Sequence, residues 1–490
     1  MHDPALLERL TTGVPGLDTV LLGGLYRGSG TLVAGASGSG KTVLGAQIAF
    51  AHAAGGGRAG VLTLLTESHE RLVSYLSTLS FFDPGAVSDN VYVVSGAARL
   101  ASDRAQGVLD LARTLIRERR LTMLVVDGVG ALEEAATTVE LRRIAQALLA
   151  FLPATGCTGL LLVGTPSVLE VLGACDVHLH LDASPFGPRL VRGIEVSKLR
   201  GGAFLEGRHT LVIDGDGVKV FPRLEAVATR TAGAPPRETH RARTGVTVLD
   251  AMLGGGLVAG SSTALLGAPG TGKTLLGMTF LAAGAKAGEP GLYAGFYEST
   301  ERLVAKCEAV GLPIARRVRE GRLHLDWAPP MERLLDETAQ RLLETVDRGG
   351  VRRVVVDGID ALRLCAEQPG RIPAFLAALT LELRRRDVTT VLTEETDLFA
   401  PQLTAPLAEQ VLSAVVENIV VLRYVELHAR LHRLLAVVKT HEGQHDASLR
   451  ELTIGPEGLA VKSAFRGAEH LLTGVPVEAA PLARPRGRRR

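Results

Sequence analysis

Short, wholly apolar runs recur along this chain in two matching series. In the first half they precede Gly35, cover 61–65 and close at Asp127 in Leu124-Val-Val-Asp127-Gly. In the second half they precede Gly267, cover 291–296 and close at Asp357 in Val354-Val-Val-Asp357-Gly. A run this short, with no polar alternation, predicts a strand buried on both faces of a parallel sheet. Segments rich in Ala, Leu and Gly predict helices at 41–54 and 273–286, and further helices follow at 69–80 and 300–311. Strands alternating with helices in this way indicate a doubly wound α/β domain in each half. Each half then ends in strand-rich sequence: 176–181, 191–199, 208–214 and 217–221, and again 417–425, 431–439, 449–454 and 458–462. The fold class read from the pattern is α/β, with two tandem domains, each a mostly parallel sheet with a strand-rich C-terminal extension.

The two halves are an internal duplication. Thr12-Gly-Val-Pro-Gly-Leu-Asp18 matches Thr244-Gly-Val-Thr-Val-Leu-Asp250, and a Gly-Gly turn leads from each into the first apolar run. The run ends in the same octet type both times: Gly35-Ala-Ser37-Gly38-Ser39-Gly40-Lys41-Thr42 and Gly267-Ala-Pro269-Gly270-Thr271-Gly272-Lys273-Thr274. This is the Walker A pattern. Its glycines let backbone N–H groups converge on phosphate oxygens, its lysine reaches the β- and γ-phosphates, and its hydroxyl holds Mg²⁺. Asp127 and Asp357 follow as Walker B carboxylates, at the strand ends where α/β sheets bind ligands. Thr42, Asp127, Thr274 and Asp357 are thus the expected metal-side residues, and ATP with Mg²⁺ the expected ligands. The expected organisation is a first ATPase domain over 1–223, a linker over 224–240 containing Ala-Pro-Pro, a second domain over 241–476, and a basic, disordered tail over 477–490.

Composition narrows the classes without changing this picture. Across 490 residues the chain is 46% hydrophobic and 22% charged, with a net charge of +2. That balance gives no overall field favouring nucleic acid or acidic membranes. The four cysteines lack CxxC spacing, as expected of core thiols in a reducing cytoplasm. No apolar run reaches the ~18 residues of a membrane helix, and the N-terminus lacks the character of a signal peptide. Only eight lysines occur, and four of them, Lys41, Lys198, Lys273 and Lys439, fall at repeat-equivalent positions.

These residues resemble the two-domain KaiC circadian-clock ATPases of the RecA-like superfamily over nearly the whole length. The match is carried by the Walker pairs and by the strand-rich ends: Lys198-Leu-Arg-Gly201, Gly207-Arg-His-Thr and Val218-Lys-Val-Phe-Pro222, then Leu422-Arg-Tyr-Val-Glu426, Lys439 through His445-Asp446, and Arg450-Glu451. The resemblance implies tandem RecA-like P-loop domains and a homo-oligomer, a hexamer of double rings with ATP between neighbouring subunits, together with regulatory protein partners. It also implies that Lys198 and Arg200 reach the neighbour's nucleotide, with Lys439 and His441 in the corresponding positions of the second domain. A cation supplied in trans offsets phosphoryl charge at the transition state. Histidine at 441 is the weaker choice, lacking a permanent charge and the guanidinium fork.

The chain departs from the family pattern in two places. The family carries adjacent glutamates after its second core strand, and here the stretches read Thr66-Glu67-Ser68 and Tyr297-Glu298-Ser299. Glu67 and Glu298 remain the candidate bases, acting with Lys41 and Lys273. Either they orient the attacking water or both sites turn over slowly. The family's phosphorylated Ser-Thr pair falls on Ser413-Ala414, so a two-site cycle there is chemically excluded. Ser413 is left either as a single phosphoacceptor or as a helix-surface serine without catalytic consequence. The leading reading is a slowly hydrolysing, ring-forming ATPase switch. The alternatives are a RecA-like DNA-handling ATPase and an ATP-stabilised scaffold without turnover. The sequence after the first Walker B strand, Ala131-Leu-Glu-Glu-Ala-Ala, is neutral to acidic and speaks against the DNA reading.

Overall fold

The computed structural model describes residues 8–64, 69–164, 172–230, 240–396, 412–427, 429–441, 445–464, 468–469 and 477–478. The chain divides into two compact units at Val227/Ala228. In the first, a two-stranded ribbon, β1 (Arg9–Leu10) and β2 (Leu25–Tyr26), leads into β3 (Gly30–Gly35), β4 (Ala59–Thr63), β5 (Val91–Ser95), β6 (Met123–Asp127) and β7 (Thr158–Val163). The extension follows as β8 (Val177–Phe186), β9 (Arg189–Leu199), β10 (His209–Asp214) and β11 (Gly217–Phe221). The second unit repeats the series with the ribbon β12 (Arg241–Ala242) and β13 (Leu257–Val258). Its core strands are β14 (Ser262–Gly267), β15 (Gly291–Gly295), β16 (Leu323–Trp327), β17 (Arg353–Asp357) and β18 (Thr389–Glu395), and its extension is β19 (Asn418–Leu427), β20 (Arg430–Lys439), β21 (Arg450–Gly455) and β22 (Gly458–Ala464).

Each unit builds one nine-stranded sheet, ordered β11-β10-β9-β8-β3-β7-β6-β4-β5 and β22-β21-β20-β19-β14-β18-β17-β15-β16. Strands β8, β3, β7, β6, β4 and β5 are mutually parallel, as are their counterparts, and the extension adds antiparallel strands beyond β8 and β19. The apolar runs behave as expected of strands covered on both faces. Val33, Val61 and Val125 pack into one core with the helix Lys41–Ala54, while Leu32, Leu62, Leu124 and Val126 pack into another with the helices Ala97–Glu118 and Thr138–Thr155. This is the doubly wound α/β architecture, in tandem. The strand expected at 61–65 lies at Ala59–Thr63. The edge strands β5 and β16 escaped the periodicity because each is half-exposed over most of its length.

The repeated Thr…Asp frame has a concrete cause. Thr12 Oγ1 donates to Asp18 Oδ1 at 2.8 Å and its N–H does so at 2.9 Å. Thr244 repeats both bonds to Asp250, at 2.7 and 2.6 Å. The carboxylate closes the entry loop by satisfying groups that no strand partners. Within 224–240, Leu224–Ala228 form a short helix. Val477–Glu478, at the start of the basic tail, pair antiparallel with Ala468–Glu469. No helix among the described residues is long and apolar enough to cross a membrane.

Candidate functional site

In both units the Walker A octet joins the C-terminal end of the central strand (β3, β14) to the N-terminus of the following helix, Lys41–Ala54 or Lys273–Lys286. The loop requires left-handed glycines: φ is +77° at Gly38 and Gly270, and +103° and +108° at Gly40 and Gly272. A Cβ on Gly40 would also lie 2.4 Å from Ile213. The lysines fold back over their own loops. Lys41 Nζ donates to the carbonyls of Gly35 (2.7 Å) and Ala36 (2.8 Å), and Lys273 Nζ to those of Gly267 (2.7 Å) and Ala268 (3.1 Å). Burial pulls both ammonium groups below the ordinary lysine range, with nearby carboxylates opposing, Asp127 in the first unit and chiefly Glu395 in the second. A desolvated cation at the mouth of a loop of N–H groups favours an anion. Ser39 Oγ is buried with no hydrogen-bond partner, whereas Thr271 Oγ1 donates to Ala268 O at 2.8 Å. Ser37 and Pro269 lie at the exposed rim of their loops.

Walker A and Walker B meet in both domains. Thr42 Oγ1 donates to Asp127 Oδ2 at 2.7 Å, and Thr274 Oγ1 to Asp357 Oδ2 at 2.8 Å. Among the described residues no group of three or more His, Cys, Asp or Glu side chains is arranged to hold a metal. One hydroxyl and one carboxylate suit Mg²⁺, which keeps waters and takes its remaining oxygens from phosphates. In the second domain these groups border a cavity of about 630 Å³, lined by the loop, by Asp357, Glu298 and Glu395, and on its apolar side by Val310 and Ile454.

Nearly every part of the chain that carries these features is matched by one family. A sequence profile described as "ATPase: KaiC" matches residues 10–225 and 242–465. The chain belongs to the KaiC ATPase family. The circadian clock oscillator protein KaiC of Picosynechococcus sp. is 27% identical over 97% of this chain and 93% of its own length. The KaiC of Rippkaea orientalis is 26% identical over 96% of this chain and 92% of its own length. The circadian clock protein KaiC3 of Synechocystis sp. is 26% identical over 96% of this chain and 95% of its own length. The two sheets are therefore tandem RecA-like domains of KaiC type.

Within this KaiC-type frame, the remaining sequence candidates divide by the end of the sheet they occupy. Glu67 lies outside the described residues. Glu298 borders the second-domain cavity, but Lys306 holds it in an ion pair at 3.0 Å. Its neighbour Ser299 caps the helix Thr300–Ala309. Lys198 and Lys439 sit at the end of the sheet opposite their own Walker loops. Lys198 faces His178 in β8, while Leu181, three residues on, is level with Gly35. Lys198 Nζ donates to the carbonyls of Gly173 (2.8 Å) and Cys175 (2.7 Å), and Arg200 reaches Asp176 at 3.5 Å. Lys439 Nζ donates to the carbonyls of Ser413 (2.5 Å) and Val416 (2.9 Å). Ser413 is therefore at that same end of the sheet, half-buried on a turn of helix over 412–415, and His441 is exposed just beyond β20.

Sequence reasoning missed several residues at this site. Arg192 and Arg433, equivalent positions on the extension, donate to Gly38 O and Gly270 O, each at 3.3 Å. Their spacing six residues before Lys198 and Lys439 was a visible signal. Glu395 lies level with Gly267 and 3.9 Å from Lys273 Nζ. Tyr293 and Thr393 donate to Asp357, at 2.8 and 2.6 Å. Burial, reinforced by Asp357, pushes the Tyr293 phenol upward, so it stays a donor. Nothing in a local pattern marks these residues, because strand pairing alone brings them to the aspartate.

Proposed function

We propose that the chain binds ATP with Mg²⁺ in both domains, hydrolyses it slowly, and works as a ring-forming, nucleotide-driven switch. The observation that carries this reading is the Thr–Asp contact repeated at 2.7 and 2.8 Å beneath two left-handed glycine loops. When bound, Mg²⁺ neutralises charge developing on the phosphates. The chain's own residues do the rest. Loop N–H groups would orient the phosphates, Lys41 and Lys273 would give up their carbonyl partners for phosphate oxygens, and Thr42 and Thr274 with Asp127 and Asp357 would hold the metal. In the second domain Lys306 engages Glu298, so Glu395 is the better-placed carboxylate to orient water.

Lys198, Arg200 and Lys439 cannot serve their own loops across the sheet. Their service to a neighbour's nucleotide requires a closed ring, a heterologous interface repeated until it closes. At the 413–414 pair only Ser413 can accept a phosphoryl group, since Ala414 has no hydroxyl. The helix after the first Walker B strand, Ala131–Ala135, carries glutamates where a DNA-handling ATPase would need clustered basic residues, which speaks against that alternative. Steady ATP turnover in the wild type that disappears in Lys41→Ala plus Lys273→Ala is the expected result, with ring-sized particles by light scattering in saturating ATP. A wild type that binds ATP without turnover leaves only the scaffold reading, and a monomer under those conditions overturns the ring. Mass spectrometry after incubation with Mg-ATP tests Ser413.

A further inference from the structure

We infer that Tyr293 and Thr393 are positioning residues for the metal of the second domain, acting through Asp357. This rests on the nucleotide reading above. Both oxygens of Asp357 accept hydrogen bonds: Oδ2 from Thr274 (2.8 Å) and Tyr293 (2.8 Å), Oδ1 from Thr393 (2.6 Å). Thr393 Oγ1 also accepts from Gly358 N–H at 2.9 Å, which ties the hydroxyl to the backbone just after the aspartate. When the Thr274 hydroxyl turns to a metal, Asp357 keeps a donor on each oxygen. These donors, Tyr293 on Oδ2 and Thr393 on Oδ1, would hold the carboxylate in its orientation.

The strand registers identify the counterparts in the first domain. Tyr293 pairs with Val355 as Val61 pairs with Val125, and Asp357 pairs with Thr393 as Asp127 pairs with Leu162. Val61 and Leu162 fill the same places with carbon alone. The positions therefore do not need hydroxyls for packing. Tyr293 is 2% exposed, and a phenol so buried is costly unless its hydroxyl has a partner. Here that partner is the one carboxylate expected to face the metal. Groups that orient a metal-side carboxylate by hydrogen bonding typically account for about 10–100-fold in metal affinity.

The test uses the full chain carrying Lys41→Ala, so that only the second site responds. ATP affinity is measured in EDTA and across a Mg²⁺ titration for this parent and for Tyr293→Phe, Thr393→Val and Thr393→Ser. In Tyr293→Phe and Thr393→Val, the Mg²⁺ concentration for half-maximal tightening of ATP should rise about tenfold or more. Metal-free ATP affinity should be unchanged, and Thr393→Ser, which keeps the hydroxyl, should behave as the parent. An unaltered Mg²⁺ dependence in both hydroxyl-deleted variants overturns the inference, as does a parallel loss with and without metal, which would mark a structural role. Should Tyr293→Phe fold poorly, the Thr393 pair decides alone. A parent that binds no ATP overturns the nucleotide reading itself, a result separable from either of these.

Discussion

Replacing Lys198 with alanine tests whether the first site is completed by a neighbour. Lys198 lies two strands from β3 and three residues below the level of Gly35. At about 3.3 Å per residue and about 4.8 Å per strand, it is offset by about 10 Å along the sheet and about 10 Å across it. A lysine side chain extends only about 6 Å, so no rotamer brings its ammonium to phosphates held by its own loop. The local cost is small, since the ammonium caps two carbonyls at a partly exposed edge, at about 1 kcal/mol per bond. The functional cost is large if the cation acts in trans, about 10³-fold or more in turnover. The assay is steady-state ATP hydrolysis in a Lys273→Ala background, which isolates the first domain. Lys198→Ala and Lys41→Ala chains are each expected to be inactive. Unfolded, mixed and reassembled in equal amounts, they should recover about one quarter of the parental rate, the share of interfaces that join an intact loop to an intact neighbouring lysine. A mixture that stays inactive, or a Lys198→Ala chain as fast as its parent, refutes the reasoning.

Three further outcomes follow from the same geometry. Glu395→Gln in a Lys41→Ala chain should lower turnover by about 10²-fold or more while ATP affinity holds; unchanged turnover removes Glu395 from the reaction. Arg353 is buried, ion-paired to Glu289 at 2.6 Å and bonded to the carbonyls of Arg243 and Phe280. Arg353→Met, which copies Met123 of the first domain, should cost about 3–5 kcal/mol by urea unfolding, and removing Glu289 as well should restore part of it. Burial pushes the thiols of Cys157, Cys175 and Cys307 up to about 12 from an ordinary value of 9.0. At pH 8 roughly one in 10⁴ is thiolate, so alkylation should proceed only after unfolding, and rapid native labelling contradicts the burial. Because the unfolded thiols ionise first, this contribution to stability is complete below pH 9 and is lost as pH rises from 9 toward 12.

Much of the architecture was legible along the chain. The Walker octets, the aspartates ending apolar runs and the eight extension strands all depend on neighbours close in sequence, where steric rules and burial on both faces leave few solutions. Glycines with φ above +70° and strands without a polar face are local demands, so they leave a local mark. The duplication made each reading twice over. Four core strands were not read from the sequence: β5 and β16, which are half-exposed and have no sharp pattern, and the buried β7 and β18, whose ends no motif marks.

The sequence by itself determined that there are two loops for phosphate, each with its hydroxyl and its aspartate. Only the tertiary structure decided what surrounds them. Glu298, a candidate by position, is claimed by Lys306 from a helix eight residues on. Tyr293, Thr393 and Glu395 come to the site from two other strands, and Arg192 and Arg433 from the extension. Lys198 and Lys439 lie at the opposite end of the sheet, where they cap carbonyls instead of phosphates. The reason is that a parallel sheet sets residues distant in the chain side by side at one strand end. The chemistry of that end is a property of register, and register is fixed only when the whole sheet forms.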